Sequence, residues 1–283
     1  MQWAASLPDA DSRLRLWIEE LRAARAAVTP GAPVEVVAAP RIEAQAFGAG
    51  QVVRAGRLLA ASEWGGSAAA RELFFYLLEK SPQRKEEIGA VFWPDLSPAR
   101  LTNAFHAVKY RIRRALDMEF IIYEDDRYRL NPAIDYGYDV AEFEQLLGSA
   151  ARRPADDPRR YALLDKALAL YTGDYLTGIY SEWALDKRRV LQAQFLDALN
   201  QLLPELLRRE EYERAEELSR RGIDVDYFRE ELHRGLMWSL ARTGRRAEAV
   251  AHYKTLAQLM RRELRVSPSQ ETRDLFLRIR AQR

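Results

Sequence analysis

The chain contains no cysteine, which removes disulfides, thiolate nucleophiles and Cys-ligated zinc together. It also lacks a charge excess: Lys plus Arg total 44 against 42 for Asp plus Glu, so no overall field draws a polyanion and any nucleic-acid site has to be local. Its three histidines, His106, His233 and His252, lie far apart without metal-ligand spacing. Neither a nucleophile elbow nor a phosphate-cradling loop with Lys-Ser/Thr occurs. The expectation is therefore no enzyme, no cofactor and no metal. No apolar run is long enough to cross a bilayer, and MQWAASLPDADSR has neither a basic n-region nor an apolar h-region. A cytoplasmic globular protein without a membrane partner is expected, and 283 residues at 48% hydrophobic suffice for two domains.

What is present centres on Asp95 to Leu116, DLSPARLTNAFHAVKYRIRRAL. Ser97 is placed as N-cap and Pro98 at the first helical position, where a missing N–H costs nothing. Leu101, Phe105, Val108, Ile112 and Leu116 then fall on one apolar stripe. The other faces carry Arg100, Thr102, Asn103, His106, Lys109, Tyr110, Arg111, Arg113 and Arg114, with no Asp or Glu between Ser97 and Ala115. A basic face is ordinarily only a solvated face; its surroundings argue for more.

Two helical patterns precede it. Ser67 opens SAAARELFFYLLEK, with Ala70, Leu73, Phe74, Leu77 and Leu78 on the core side, and RKEEIGAVFW packs Ile88, Val91 and Phe92 before Pro94 forces Trp93 out of helical geometry. After the basic helix, FIIYEDDRYRLNP reads as two strands joined by Glu124, Asp125 and Asp126. Helix, helix, basic helix, hairpin is the order of a winged helix-turn-helix, whose third helix enters the major groove. Ahead of it, Ile42, Ala44, Ala46 and Val52 to Leu59 predict a small antiparallel sheet, with turns at Gly48 to Gly50 and at Gly56. The G-x-G there lacks the strand, helix and third glycine of a dinucleotide site. Residues 1–40 predict a short helix, with Leu14, Trp17, Ile18 and Leu21 on one side, and a linker.

In the second half, a shift of 34 residues sets Leu202 on Leu236, Leu206 on Leu240 and Ala215 on Ala249, the period of tetratricopeptide helix pairs. Gly244 makes a tight turn that Glu210 makes less well in the earlier copy. With a further helix over Arg159 to Tyr171, roughly three hairpins stack in a curve. Such a surface suits a peptide or another copy of the chain.

RELFFYLLEKSPQRKEEIGAVFWPDLSPARLTNAFHAVKYRIRRAL, then DRYRLNP and Asp139-x-x-x-Phe143, resembles the winged-helix domain of the Streptomyces antibiotic regulatory protein family. ALALYTGDYLTG, Glu182-Trp183, Gly244 to Ala249, Tyr253 and VSPSQET resemble that family's bacterial transcriptional activator domain, so the likeness runs from about Arg41 to the C-terminus. Two departures stand out: Arg265 replaces the family's glycine, and the wing tip is acidic. The resemblance implies a mostly α protein. An N-terminal helix and linker (1–40) precede a winged helix-turn-helix with small antiparallel sheets (41–138) and a tetratricopeptide-like α-helical repeat domain (139–283).

The function expected is a sequence-specific transcription regulator, acting as an activator. Its partners would be double-stranded promoter DNA, RNA polymerase and, as a homodimer, its own copy. Arg100, Thr102, Asn103 and His106 are placed near base edges, Arg suiting guanine and Asn adenine. Lys109, Arg113, Arg127 and Arg129 are placed on phosphates. Thr102 has the alternative task of supporting the helix turn, His106 of lying at a domain edge, and Arg111 and Arg114 of being merely solvated. Two rival readings are a protein-interaction scaffold and the output portion of a longer regulator.

Overall fold

The computed structural model describes residues 42–281; the helix and linker expected at 1–40 lie outside the described residues. The alternation at Ile42, Ala44 and Ala46 builds β1 (Ile42–Gln45), which pairs antiparallel with β2 (Gln51–Arg54), itself paired with β3 (Arg57–Leu58). Gly50 (φ +73) closes the β1–β2 turn, where a Cβ would stand 2.7 Å from Leu176 and 3.1 Å from Phe75. After a 3-10 turn at Ala61–Trp64 come three helices: α1 (Ala68–Lys80), α2 (Lys85–Phe92) and α3 (Pro98–Leu116). The wing is β4 (Ile121–Glu124) and β5 (Arg127–Leu130), turned by Asp125 and Asp126 with φ of 51° and 60°. That is the left-handed pair a two-residue hairpin needs, in a residue type that tolerates it.

The expected sheet is antiparallel only in part. β6 (Tyr136–Tyr138) joins it parallel to β1, in the order β3-β2-β1-β6. Three residues of Tyr-Gly-Tyr carry too little pattern to announce a strand; the neighbouring edge of β1 recruits them.

Helices α2 and α3 cross closely because residue 89 is glycine: a Cβ there would lie 2.5 Å from Leu101. Val91, expected inside, is 42% exposed, since α2 turns Ile88 and Gly89 toward its neighbours instead. Ser67 and Ser97 occupy N-cap positions, yet neither side chain makes a capping bond.

Outside its connecting loops the second half is helical: α4 (Asp139–Ala151), α5 (Pro158–Leu170), α6 (Glu182–Arg208), α7 (Tyr212–Val225), α8 (Glu230–Arg242), α9 (Arg246–Leu259) and α10 (Gln270–Ala281). The 34-residue shift carries both ends of α7 onto both ends of α9. Glu210 (φ 62°) and Gly244 (φ 81°) occupy the same left-handed turn position. Asp157 caps α5 through the Arg159 N–H at 2.8 Å.

One continuous core runs from Ile42 through α1 and α3 to Ile279 in α10. The YTGDYLTG loop helps to make it continuous, because its main chain extends the β1 edge: Gly48 N–H donates to Asp174 O (2.9 Å), Leu176 N–H to Ala46 O (2.8 Å) and Thr177 N–H to Gly48 O (2.7 Å). The Arg188 guanidinium fixes that loop through the carbonyls of Tyr175, Leu176 and Ile179. At the start of α4, both Asp139 carboxylate oxygens work. Oδ1 accepts from Ala46 N–H (2.9 Å) and Val140 N–H (2.8 Å), and Oδ2 from Phe47 N–H (3.0 Å).

His233 and His252, distant in sequence, meet with Nδ1 and Nε2 2.7 Å apart and rings stacked. His233 Nε2 lies 2.6 Å from Tyr227 O, a carbonyl that can only accept. His233 therefore donates from Nε2, and burial, which lowers the pKa of both rings, favours the neutral pair in which His233 Nδ1 accepts from His252 Nε2–H.

Three outcomes follow from this packing. Asn at 139 keeps one acceptor but turns an NH₂ toward a main-chain N–H, so Asp139→Asn is expected to lower unfolding free energy by about 2 kcal/mol in urea titration. Burial, reinforced by His233 and Arg220, lowers the His252 pKa from 6.5 to about 4. The unfolded chain thus takes up that proton first, and this stability, full above pH 6.5, is lost as the pH falls toward 4. Between pH 7 and 4, wild type should lose on the order of 2 kcal/mol more than His252→Gln, after discount for partial exposure. Arg265 stands in the left-handed region at φ 59°, so Arg265→Gly is expected to raise stability by about 0.5–1 kcal/mol in thermal melts.

Candidate nucleic-acid interface

Helix α3 owes its position to the apolar stripe. Leu101, Phe105, Val108, Ile112 and Leu116 are all buried, with Phe105 and Leu116 fully so. Burying five such side chains stabilises by several kcal/mol, at roughly 1.5–3 kcal/mol each, and fixes which side of the helix meets solvent. Directly opposite runs the row Asn103, Ala107, Tyr110 and Arg114, spaced four, three and four residues apart and exposed, Tyr110 by 62%. Arg100 and His106 flank it, both exposed. Among the described residues, Arg100, Asn103, Arg111 and Arg114 make no hydrogen bond or ion pair, and His106 makes ring contacts with Phe105 and Tyr128. Small Ala107 in mid-row lets a partner approach the helix backbone.

The remaining candidate side chains are engaged within the protein. Thr102 donates to Pro98 O at 2.9 Å and receives Lys85 Nζ at 3.0 Å, so it supports the helix turn. Lys109 lies near the edge of the apolar stripe, over the Tyr128 ring (5.9 Å), and pairs with Glu119 at 2.8 Å. Arg113 reaches the same carboxylate at 3.3 Å. The left-handed Asp117 (φ 55°) ends the helix and brings Glu119 back beside its last turns. On the wing, Arg127 faces Glu87 of α2 at 3.4 Å and Arg129 faces Glu124 at 2.7 Å. Tyr128, pointing inward between these arginines, packs on Phe105 at 4.4 Å. The wing tip is acidic: Asp126 accepts from the Tyr123 hydroxyl at 2.6 Å, and Asp125 is exposed.

The site therefore divides otherwise than the residue types suggest. Arg100, Asn103 and His106 share one open surface. Thr102 is not part of it, and the four side chains assigned to phosphates are already paired with carboxylates. Tyr110 and Arg114 complete the surface and are the residues a reading by type passes over. The signal that finds them is helical: both continue the row that starts at Asn103. Helix α3 carries no carboxylate, so the surface can accept an anion or offer donors to base edges.

Among the described residues, no group of three or more His, Cys, Asp or Glu side chains is placed to hold a metal ion. No described helix is long and apolar enough to cross a membrane.

The chain is similar to the regulatory protein AfsR of Streptomyces coelicolor, at 28% identity over 254 residues, covering 88% of this chain and 25% of the relative. It is also 28% identical over 220 residues to AfsR of Streptomyces griseus, covering 76% of this chain and 22% of that relative. The chain thus spans about a quarter of the length of these relatives. Among solved structures, Mycobacterium tuberculosis EmbR, in complex with a low affinity phosphopeptide, superposes with a TM-score of 0.65 at 16% identity, over 87% of this chain and 66% of that one. At that identity the likeness is one of fold. The resemblance to the Streptomyces antibiotic regulatory proteins holds in both halves, and residues 138–280 match the bacterial transcriptional activator domain; the chain belongs to that family.

Proposed function

We propose that this chain is a transcription activator that acts in the cytoplasm, reads double-stranded promoter DNA with α3 and passes the signal on through its helical domain. Residues 41–138 are the reader and residues 139–283 the output, with RNA polymerase as the output's partner and a second copy of the chain on a repeated site. One observation carries this reading: the open row Asn103, Ala107, Tyr110 and Arg114, flanked by Arg100 and His106, on a helix held rigidly by its opposite face. The row has the width and the donor groups for a major groove. Arg100 and Arg114 supply its free charge, Asn103 the bidentate amide, and Tyr110 a ring with a hydroxyl.

A rival reading, in which the winged helix docks a protein, draws on the pairing of Lys109, Arg113, Arg127 and Arg129 with carboxylates. Salt dependence separates the two, since phosphate neutralisation makes log affinity fall linearly with log salt.

Selection from a random duplex library, followed by anisotropy at several salt concentrations, tests the proposal. A recovered motif, as a direct or inverted repeat about one helical turn apart, is expected. Asn103→Ala should relax one base position and cost about 1–3 kcal/mol on the selected duplex. Glu119→Gln frees Lys109 and Arg113 together, so it should tighten binding to any duplex and steepen the salt slope by up to about two. Failure to recover a motif, with Asn103→Ala and Glu119→Gln both silent, would sink the DNA reading and favour the docked protein.

A further inference from the structure

Helices α8 and α9 meet through two imidazoles that neither DNA recognition nor the repeat pattern requires. His233 on α8 is fully buried and His252 on α9 is half-buried. The 34-residue register sets them on Leu199 and Leu218, both fully buried, so the earlier hairpin fills the same two positions with apolar side chains. A polar pair is therefore not what packing at these positions demands.

The two rings are placed as the first two ligands of a transition-metal ion are. His233 Nε2–H donates to Tyr227 O at 2.6 Å, which orients the ring and leaves the lone pair on Nδ1, the way a ligating histidine is held by its other nitrogen. Nδ1 of His233 and Nε2 of His252 are 2.7 Å apart. Two nitrogens bound at about 2.0–2.1 Å in neighbouring positions of one ion stand about 3 Å from each other, so the rings have to part by roughly a few tenths of an ångström. With the His252 proton on Nδ1 instead of Nε2, two lone pairs face one point and the charge of the pair is unchanged. The surrounding charge suits a cation on one side and is neutralised on the other. Asp226 and Glu230 flank His233, and Arg220 beside His252 is held by Glu216 at 2.8 and 3.0 Å. Glu248, one turn before His252 on the same face of α9, gives both oxygens to Arg245 at 2.8 and 2.6 Å. Among the described residues no third His, Cys, Asp or Glu is placed with the pair. The protein thus supplies two ligands, and the open side of His252 leaves the other positions to water.

We propose that His233 and His252 bind a divalent late transition-metal ion, copper, nickel or zinc, in place of the hydrogen that joins them, and so link α8 to α9. Imidazole nitrogens select these ions over magnesium and calcium, which take oxygen ligands. With two imidazoles and water as ligands, affinity follows the general order for nitrogen sites, in which copper binds most tightly. The inference rests on the α8–α9 hairpin alone and stands whether or not α3 reads DNA.

The test is titration of the full chain, dialysed against EDTA and then freed of it, with Cu²⁺, Ni²⁺, Zn²⁺ and Mg²⁺, followed by calorimetry and by melting temperature on wild type and His252→Gln. Cu²⁺ is expected to bind saturably, Ni²⁺ and Zn²⁺ more weakly and Mg²⁺ not at all, and Zn²⁺ should raise the melting temperature of wild type. His252→Gln, whose amide can still donate to His233 Nδ1, should bind Cu²⁺ at least tenfold more weakly and lose the Zn²⁺-dependent rise. The electron paramagnetic resonance spectrum of wild type with Cu²⁺ should show coupling to two imidazole nitrogens, and this arm decides alone if the variant fails to fold. No saturable Cu²⁺ binding, coupling to fewer than two imidazole nitrogens, or Mg²⁺ bound as tightly as Cu²⁺ overturns the proposal. So does Cu²⁺ affinity that survives His252→Gln, which would place the ion elsewhere on the chain.

Discussion

Helix α1 is buried on two opposite sides, and the arrangement of the molecule depends on it. Phe74 packs with Trp64 and Phe120 inside the winged helix. Tyr76 packs edge-on against Trp183 of α6 at 5.3 Å, while Phe75 lies beneath the Gly50 turn and Leu176. Charge follows the same plan. Glu72 accepts from the Ser181 hydroxyl and from the Trp183 indole N–H (3.3 Å). Glu79 accepts from the Tyr138 hydroxyl and pairs at 2.7 Å with Lys187, which also holds Glu144 at 2.8 Å. Burial of these charges is tolerable because Glu79, Glu144 and Lys187 are paired and Glu72 is hydrogen-bonded. A hinge between reader and output would have to expose this apolar surface and part these pairs together. The orientation of α3 relative to the helical stack is accordingly a property of the core.

That rigidity bears on how DNA would be read. With Lys109 and Arg113 of α3 held by Glu119, and Arg127 and Arg129 of the wing held by Glu87 and Glu124, the winged helix gains less from phosphates than its composition implies, so more of the discrimination falls to the free row at Asn103, Tyr110 and Arg114. Exposed ion pairs of this kind are worth only about 0–1 kcal/mol each. Phosphates could therefore displace them at small cost, and the acidic partners tune affinity downward without forbidding binding. The near-balance of charge over the whole chain is consistent with such a selective, weakly electrostatic reader.

Much of this was legible in the residues. The stripe on α3 and the 34-residue register followed from periodicity, because one-sided burial leaves a periodic trace. Phe75 and Tyr76 did not, since a helix buried on both sides loses that trace, and the expected face ended at Leu77 and Leu78. The parallel β6, the His233–His252 contact and the capture of Lys109 by Glu119 depend on elements brought together from a distance or folded back past a left-handed residue. Residue type alone marked Lys109 as a phosphate contact; that it lies next to the buried Leu116 edge and pairs with Glu119 was not legible in the residue type. Of the open surface now proposed, Arg100, Asn103 and His106 were nominated by residue type, and Tyr110 and Arg114 are added by their position on the helix.

The most direct test of the central claim is photo-crosslinking from the middle of the open row. With p-azidophenylalanine in place of Ala107, illumination of the complex with the selected duplex should join the protein to major-groove base edges within the motif. The same probe at Tyr180, exposed ahead of α6, should not. Crosslinks from position 180 but none from 107, or crosslinks from 107 only to protein, would contradict the account.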